Sequence, residues 1–140
     1  MTYTAEAVEK LTIDEKVQLI KEGKALDLLL NDNEFIRTEL AKNGYFLDKL
    51  KNDKTWDVRA AVVEQGAFLD ELKNDRDEEI RGKVASKGAF LSELKSDKSE
   101  YVRIIVAEQG AFLDELKNDP SPHVRAAVAK QIKLRNKLSK

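Results

Sequence analysis

The apolar positions of this chain recur every 22 residues. Leu50, Leu72, Leu94 and Leu116 each open a near-copy of the segment before: LKNDKTWDVRAAVVEQGAFLDE, LKNDRDEEIRGKVASKGAFLSE, LKSDKSEYVRIIVAEQGAFLDE and LKNDPSPHVRAAVAKQIKLRNK. The stretch EQGAFLDELKND occurs twice unchanged, at 64–75 and 108–119, so the chain is read as a repeat array before anything else. A looser copy, GKALDLLLNDNEFIRTELAKNG, runs from Gly23 and reaches Gly44 one residue short of the period. About five units then fill 23–131, with an N-terminal cap over 1–22 and a basic C-terminal cap over 132–140.

Each unit carries two helical patterns. On a wheel of about 100° per residue, Val58, Arg59, Val62 and Val63 share one arc, while Trp56, Asp57, Ala60, Ala61 and Glu64 share the opposite one. The first arc is apolar or small in every copy apart from its Arg, which predicts a core-facing second helix. Polar residues at Asn33, Thr55, Asp77, Ser99 and Ser121 are placed to cap it by accepting N–H bonds from its first turn. Pro122 suits the first helical position. Gly44, Gly66, Gly88 and Gly110 are placed to stop the helix in the left-handed conformation. Ile132 stands where the next Gly would be, so the last helix is expected to run on through KQIKLRNKLSK. A short first helix is read at AFLDELKN, residues 67–74, with Phe68, Leu69 and Leu72 meeting the second helix. The TIDE sequence at 12–15 is a capping box that starts a leading helix near Ile13. Helices this short are marginal alone, so stacked units must supply their stability. The expectation is an all-α, right-handed α-solenoid of two-helix repeats forming one domain over 1–140.

Composition narrows the function. Hydrophobic residues make up 41% and charged residues 36%, which permits a core beneath a well-solvated surface. A formal net charge of −1 gives no global pull towards nucleic acid or anionic membrane. The absence of Cys excludes a disulfide framework and thiolate metal sites, and fits a reducing, cytoplasmic compartment. The opening MTYTAEAVEKL has no basic segment followed by a long apolar run, so no signal peptide is expected. Apolar runs such as IIVA at 104–107 are too short to span a bilayer.

The chemistry of catalysis is missing from the pattern. His123 is the single His, at a position filled by Asp57, Glu79 and Tyr101 in other units, and reads as a variable surface residue. The glycines follow the repeat rather than a phosphate loop, and no carboxylates have the spacing of a calcium loop. The sequence therefore argues against an enzyme, a metal, a cofactor or a small-molecule substrate.

Arg59, Arg81, Arg103 and Arg125 fall on the core-facing arc, and Asp53, Asp75, Asp97 and Asp119 stand six residues before them. A buried guanidinium needs a carboxylate, because an uncompensated buried charge costs about 3–5 kcal/mol. Each Asp is placed to accept planar two-point bonds from the Arg one turn on or from the Arg of the next unit, making a ladder through the array.

These residues also carry a resemblance. The pattern D-x-x-x-x-V-R-x-x-V/A, matched at Asp119, Val124 and Arg125, resembles the second-helix motif of HEAT-like repeats, including the bilin-lyase type. The 22-residue period is short for that family and is closer to the leucine-rich repeat variant, a bacterial repeat of one longer and one shorter helix. The resemblance covers about 110 residues. It implies a solenoid with an internal Asp–Arg ladder and a function in binding macromolecules; some HEAT-like arrays bind DNA or modify bases.

In such an array, binding specificity is expected where units differ while the frame stays fixed. Those positions lie on the exposed arc of the second helices: Phe35, Trp56, Asp57, Glu78, Glu79, Lys83, Glu100, Tyr101, Ile104, Ile105 and His123. Large apolar groups ringed by polar ones are what protein-binding hot spots look like, and Tyr101 with Ile105 is the expected centre. The leading expectation is a non-enzymatic adaptor or inhibitor, of the kind common among bacterial and phage proteins, that grips a protein partner or itself. A nucleic-acid-binding HEAT-like protein needs a basic face, and the strip has at least as many acids as bases. The acid-free KQIKLRNKLSK is the exception, and reads first as a helix end whose cations suit the dipole. A purely structural or designed array is the third expectation.

Overall fold

The computed structural model describes residues 2–139. Among these it holds twelve α-helices and no strand. The chain divides into two compact units, Met1–Phe68 and Leu69–Lys140.

The first unit contains α1 (Ala5–Glu9), α2 (Ile13–Glu22), α3 (Leu26–Leu29), α4 (Glu34–Lys42), α5 (Leu47–Leu50) and α6 (Trp56–Glu64). The longer helices pack in sequence order, α2 on α4 and α4 on α6, while the single-turn helices α3 and α5 bridge them. The capping box at Thr12 and Glu15 forms as expected, with reciprocal bonds of 3.2 and 2.9 Å. Ile20, Leu29, Ile36, Leu40, Val58, Val62 and Val63 are fully buried and make the core.

The second unit contains α7 (Leu69–Leu72), α8 (Glu78–Ser86), α9 (Leu91–Leu94), α10 (Glu100–Glu108), α11 (Leu113–Leu116) and α12 (Pro122–Leu138). Here α8 packs on α10 and α10 on α12, with the single turns packed between. Its core is Ile80, Val84, Ala85, Val102, Val106, Ala107 and Val124, all fully buried. The last helix runs 17 residues and passes straight through Ile132, as the missing Gly predicts.

Three expectations change. The short helices are one turn each, not the full AFLDELKN segment, because the residue before them, Ala25 in the first and a Phe in the others, takes a left-handed backbone. Phe46, Phe68, Phe90 and Phe112 all have φ of 54–56°, a conformation that costs a residue with a Cβ about 1–2 kcal/mol. A Lys ammonium lies over each of these rings, Lys49 on Phe46 at 5.6 Å, Lys51 on Phe68 at 4.3 Å, Lys73 on Phe90 at 4.4 Å and Lys95 on Phe112 at 4.5 Å.

The caps also differ. Asn33 and Ser121 accept first-turn N–H bonds. Thr55, Asp77 and Ser99 do not. Their own N–H groups instead donate at 2.9 Å to the carboxylates of Asp53, Asp75 and Asp97. The Thr55 hydroxyl accepts from Arg37 at 3.3 Å and the Ser99 hydroxyl donates to Glu78 at 2.5 Å, so both serve a neighbouring helix. Finally, Ala60 and Ala61, assigned by the wheel to the wet arc, are only 6% and 5% exposed. A single hydrophobic arc describes a helix with one neighbour, and α6 is covered on more sides than that.

Candidate functional site

The recurring Arg and Asp are brought together by the turn before each longer helix. Arg81 donates Nη1 to the backbone carbonyl of Asp75 at 2.8 Å, six residues back. Its Nε and Nη2 meet the Asp97 carboxylate at 2.9 and 3.1 Å, sixteen residues on. Arg103 repeats this with the Asp97 carbonyl at 2.8 Å and the Asp119 carboxylate at 2.8 and 3.2 Å. In the first unit Arg37 does the same, with the Asp32 carbonyl at 2.6 Å and the Asp53 carboxylate at 2.8 and 3.2 Å. Lys16 heads this unit's pairs with one bond of 2.8 Å to Asp32.

The direction of pairing corrects the expectation. Where the pair is seen, each carboxylate takes the Arg sixteen residues before it, and the Arg six residues after it takes that Asp's backbone carbonyl instead. Arg59 fits the second half of this rule, donating to the Asp53 carbonyl at 2.8 Å while 1% exposed. Burial works to raise the pKa of Asp53, but the Arg37 bonds and the Thr55 N–H outweigh it and hold the carboxyl below the usual range. Asp119 is held low in the same way by Arg103 and the Ser121 N–H, against burial. Arg125 departs from the expected core position. It is exposed and, among the described residues, donates to the Asp119 and Pro120 carbonyls alone, at 2.7 and 3.1 Å.

The residues expected to form a contact strip are spread over both units. In the first, Phe35 and Trp56 are 49% and 46% exposed, on the first turns of α4 and α6, with Glu34 and Asp57 exposed beside them. In the second, Glu78, Glu79, Glu100, Tyr101 and His123 are exposed, while Lys83, Ile104 and Ile105 are half-buried. Several of these already have work inside the unit. Glu78 and Glu100 accept from the Ser99 and Ser121 hydroxyls at 2.5 and 2.6 Å. The Tyr101 hydroxyl donates to Glu79 at 3.2 Å. Burial first, and then Glu79, push the Tyr101 pKa up.

Tyr101 and Ile105 also pack onto Gly82. A Cβ there would stand 2.7 Å from Tyr101 Cε2 and 2.9 Å from Ile105 Cδ1. A glycine in mid-helix costs about 1 kcal/mol relative to Ala, and here it makes room for the two side chains. The expected centre of the strip is therefore partly turned to internal packing.

Lys16, Asp32 and Arg37 belong to the same set of pairs and were missed because the first copy is one residue short. The LND at 30–32 followed by Arg37 is the signal that marks them. Among the described residues no group of three or more His, Asp or Glu is placed to hold a metal ion. No helix among them is long and apolar enough to cross a membrane. Comparison with protein-family models, curated proteins and solved structures gives no match to this chain.

Proposed function

We propose that this chain is a non-enzymatic helical-repeat module, an array of about five 22-residue units of the right-handed α-solenoid type, that works by holding a protein partner as an adaptor or inhibitor. The observation that carries the reading is the pair Phe35 and Trp56. Both are about half exposed at the same end of two helices that pack on one another, α4 and α6. Aromatic rings supply large contact area at low entropic cost and dominate binding hot spots. The acids beside them, Glu34 and Asp57, favour a partner whose contact rim is basic.

The test uses the whole chain as bait in an extract of its source cells, beside a Phe35→Ala/Trp56→Ala variant. The double variant should keep its helical circular dichroism and lose the captured protein. Once that protein is purified, it should shift the emission of Trp56, the only Trp. Trp56→Ala should then weaken binding by about 2 kcal/mol or more, roughly thirtyfold. Equal capture by the folded double variant sinks the proposal.

A further inference from the structure

The last helix of the second unit leaves uncovered a face that its counterparts have covered. Ala85 in α8 and Ala107 in α10 are fully buried, and each of these helices has the next long helix packed on it. Ala129 holds the same register position in α12 and is exposed. Gly82 is buried and Ala126 is exposed. Arg81 is 6% exposed, and Arg125 lies open.

The charged groups on this face are half used. Arg81 and Arg103 each combine a carbonyl in their own turn with a carboxylate sixteen residues on. Arg125 has the carbonyls, and among the described residues no carboxylate meets its Nε and Nη2. Lys73 lies over Phe90 and pairs with Glu93 at 2.6 Å, and Lys95 lies over Phe112 and pairs with Glu115 at 2.5 Å. Lys117, at the same register, is exposed and has neither a ring nor a carboxylate among the described residues.

Those internal pairs specify what would complete the face. Arg103 and Lys95 are satisfied by one continuous segment that brings Phe112, Glu115 and Asp119; Arg81 and Lys73 by Phe90, Glu93 and Asp97. The required spacing is aromatic-x-x-Glu-x-x-x-Asp, a single helical turn followed by an Asp turn. Residues 129–139 do not supply it, because α12 continues as helix to Leu138 and brings Lys130, Lys133, Arg135 and Lys137 with no acid. That stretch adds positive charge around a site already asking for two carboxylates.

We propose that this face of α12, with Lys117 and Arg125 at its edge, docks an acidic segment of another polypeptide that has this aromatic-x-x-Glu-x-x-x-Asp spacing. This proposal uses none of the residues of the Phe35 and Trp56 reading and does not depend on it.

A labelled peptide GAFLDELKNDPS, copied from residues 110–121, is the probe. It is titrated into the full chain to about millimolar concentration and followed by anisotropy and backbone amide shifts. Saturable binding is expected, with the shifts gathered at Lys117, Arg125, Ala126 and Ala129. Arg125→Ala in the protein and Asp119→Asn in the peptide should each weaken it at least about tenfold, and Phe35→Ala in the protein should leave it unchanged. Arg125 is exposed, so the variant should retain its circular dichroism. The proposal is overturned by no saturable binding, by equal binding to the Arg125→Ala protein, or by equal binding of the peptide without its carboxylates. Self-association that ignores the peptide overturns it, as does duplex DNA shifting the same residues while the peptide does not.

Discussion

Arg81 and Arg125 stand at the same register position of two helices in one compact unit, and they end in opposite environments. The Arg81 side chain is 7% exposed and gripped at two points by Asp97, whereas Arg125 lies open and, among the described residues, its hydrogen bonds go to backbone carbonyls. Their flanking sequences, EIRGKVA and HVRAAVA, are alike. The difference lies in the next stretch of chain: α8 has α10 packed on it and a carboxylate sixteen residues on, and α12 has no such successor among the described residues. An interior charge in this protein is thus a property of two neighbouring segments together, not of the helix that carries it.

The largest effect expected from breaking that relation is at Asp97. Asp97→Ala leaves the Arg81 guanidinium buried without its carboxylate and should cost about 3–5 kcal/mol, read as a lowered urea midpoint. Arg125→Ala should stay within about 0.5 kcal/mol. Equal losses at the two positions would remove the distinction between a covered and an uncovered face. The double variant Arg81→Met/Asp97→Leu sharpens it further, since an apolar pair of similar volume should recover most of the loss.

A middle-sized effect is expected at Gly82. Gly82→Ala should gain about 1 kcal/mol of helix propensity and lose about 1–3 kcal/mol to crowding by Tyr101 and Ile105, a net destabilisation. In a Tyr101→Ala background most of that crowding is gone, and the same change should turn neutral or stabilising. The exposed Ala126, at the corresponding register, should accept Leu with little change in midpoint. A Gly82→Ala protein that is no less stable than the unaltered one would show that the ring simply swings aside, and a loss that persists without Tyr101 would assign the crowding to Ile105.

The smallest effect separates Lys95 from Lys117. Lys95→Ala loses the ammonium over Phe112 and should cost about 0.5–1 kcal/mol, while Lys117→Ala should cost nothing measurable. Matched losses would mean that the ring contacts contribute no stability of their own.

Much of the local structure was legible in the residues. The 22-residue spacing located every longer helix from α4 to α12, the Gly positions located their ends, and the absence of Gly at Ile132 located the overrun. The pairing of Asp with Arg was legible too, because no other acid recurs with the Arg every time. Its direction was not, since a separation of six along the chain says nothing about which carboxylate a long side chain reaches in space. Burial of Ala60 and Ala61 was not legible because a wheel ranks the faces of a helix without counting its neighbours. The left-handed Phe residues were hidden for a different reason. Steric preference argues against a side chain there, yet Ala25 takes the same conformation as the four Phe, so it belongs to the turn that precedes each short helix. In the candidate surface, the wheel found Phe35 and Trp56 correctly as exposed, but it placed the centre at Tyr101 and Ile105, whose room beside Gly82 depends on a residue with no side chain to notice.

That notch at Gly82 has a further meaning. Segments that look interchangeable by sequence are fitted to their own neighbours: the ring of Tyr101 lies over a residue lacking a Cβ, where the copies on either side carry Ala60 and Ile104. Shuffling or duplicating these near-identical stretches would set a tyrosine against a methyl or a branched chain. Their order along the polypeptide is therefore written into side-chain size, one neighbour at a time.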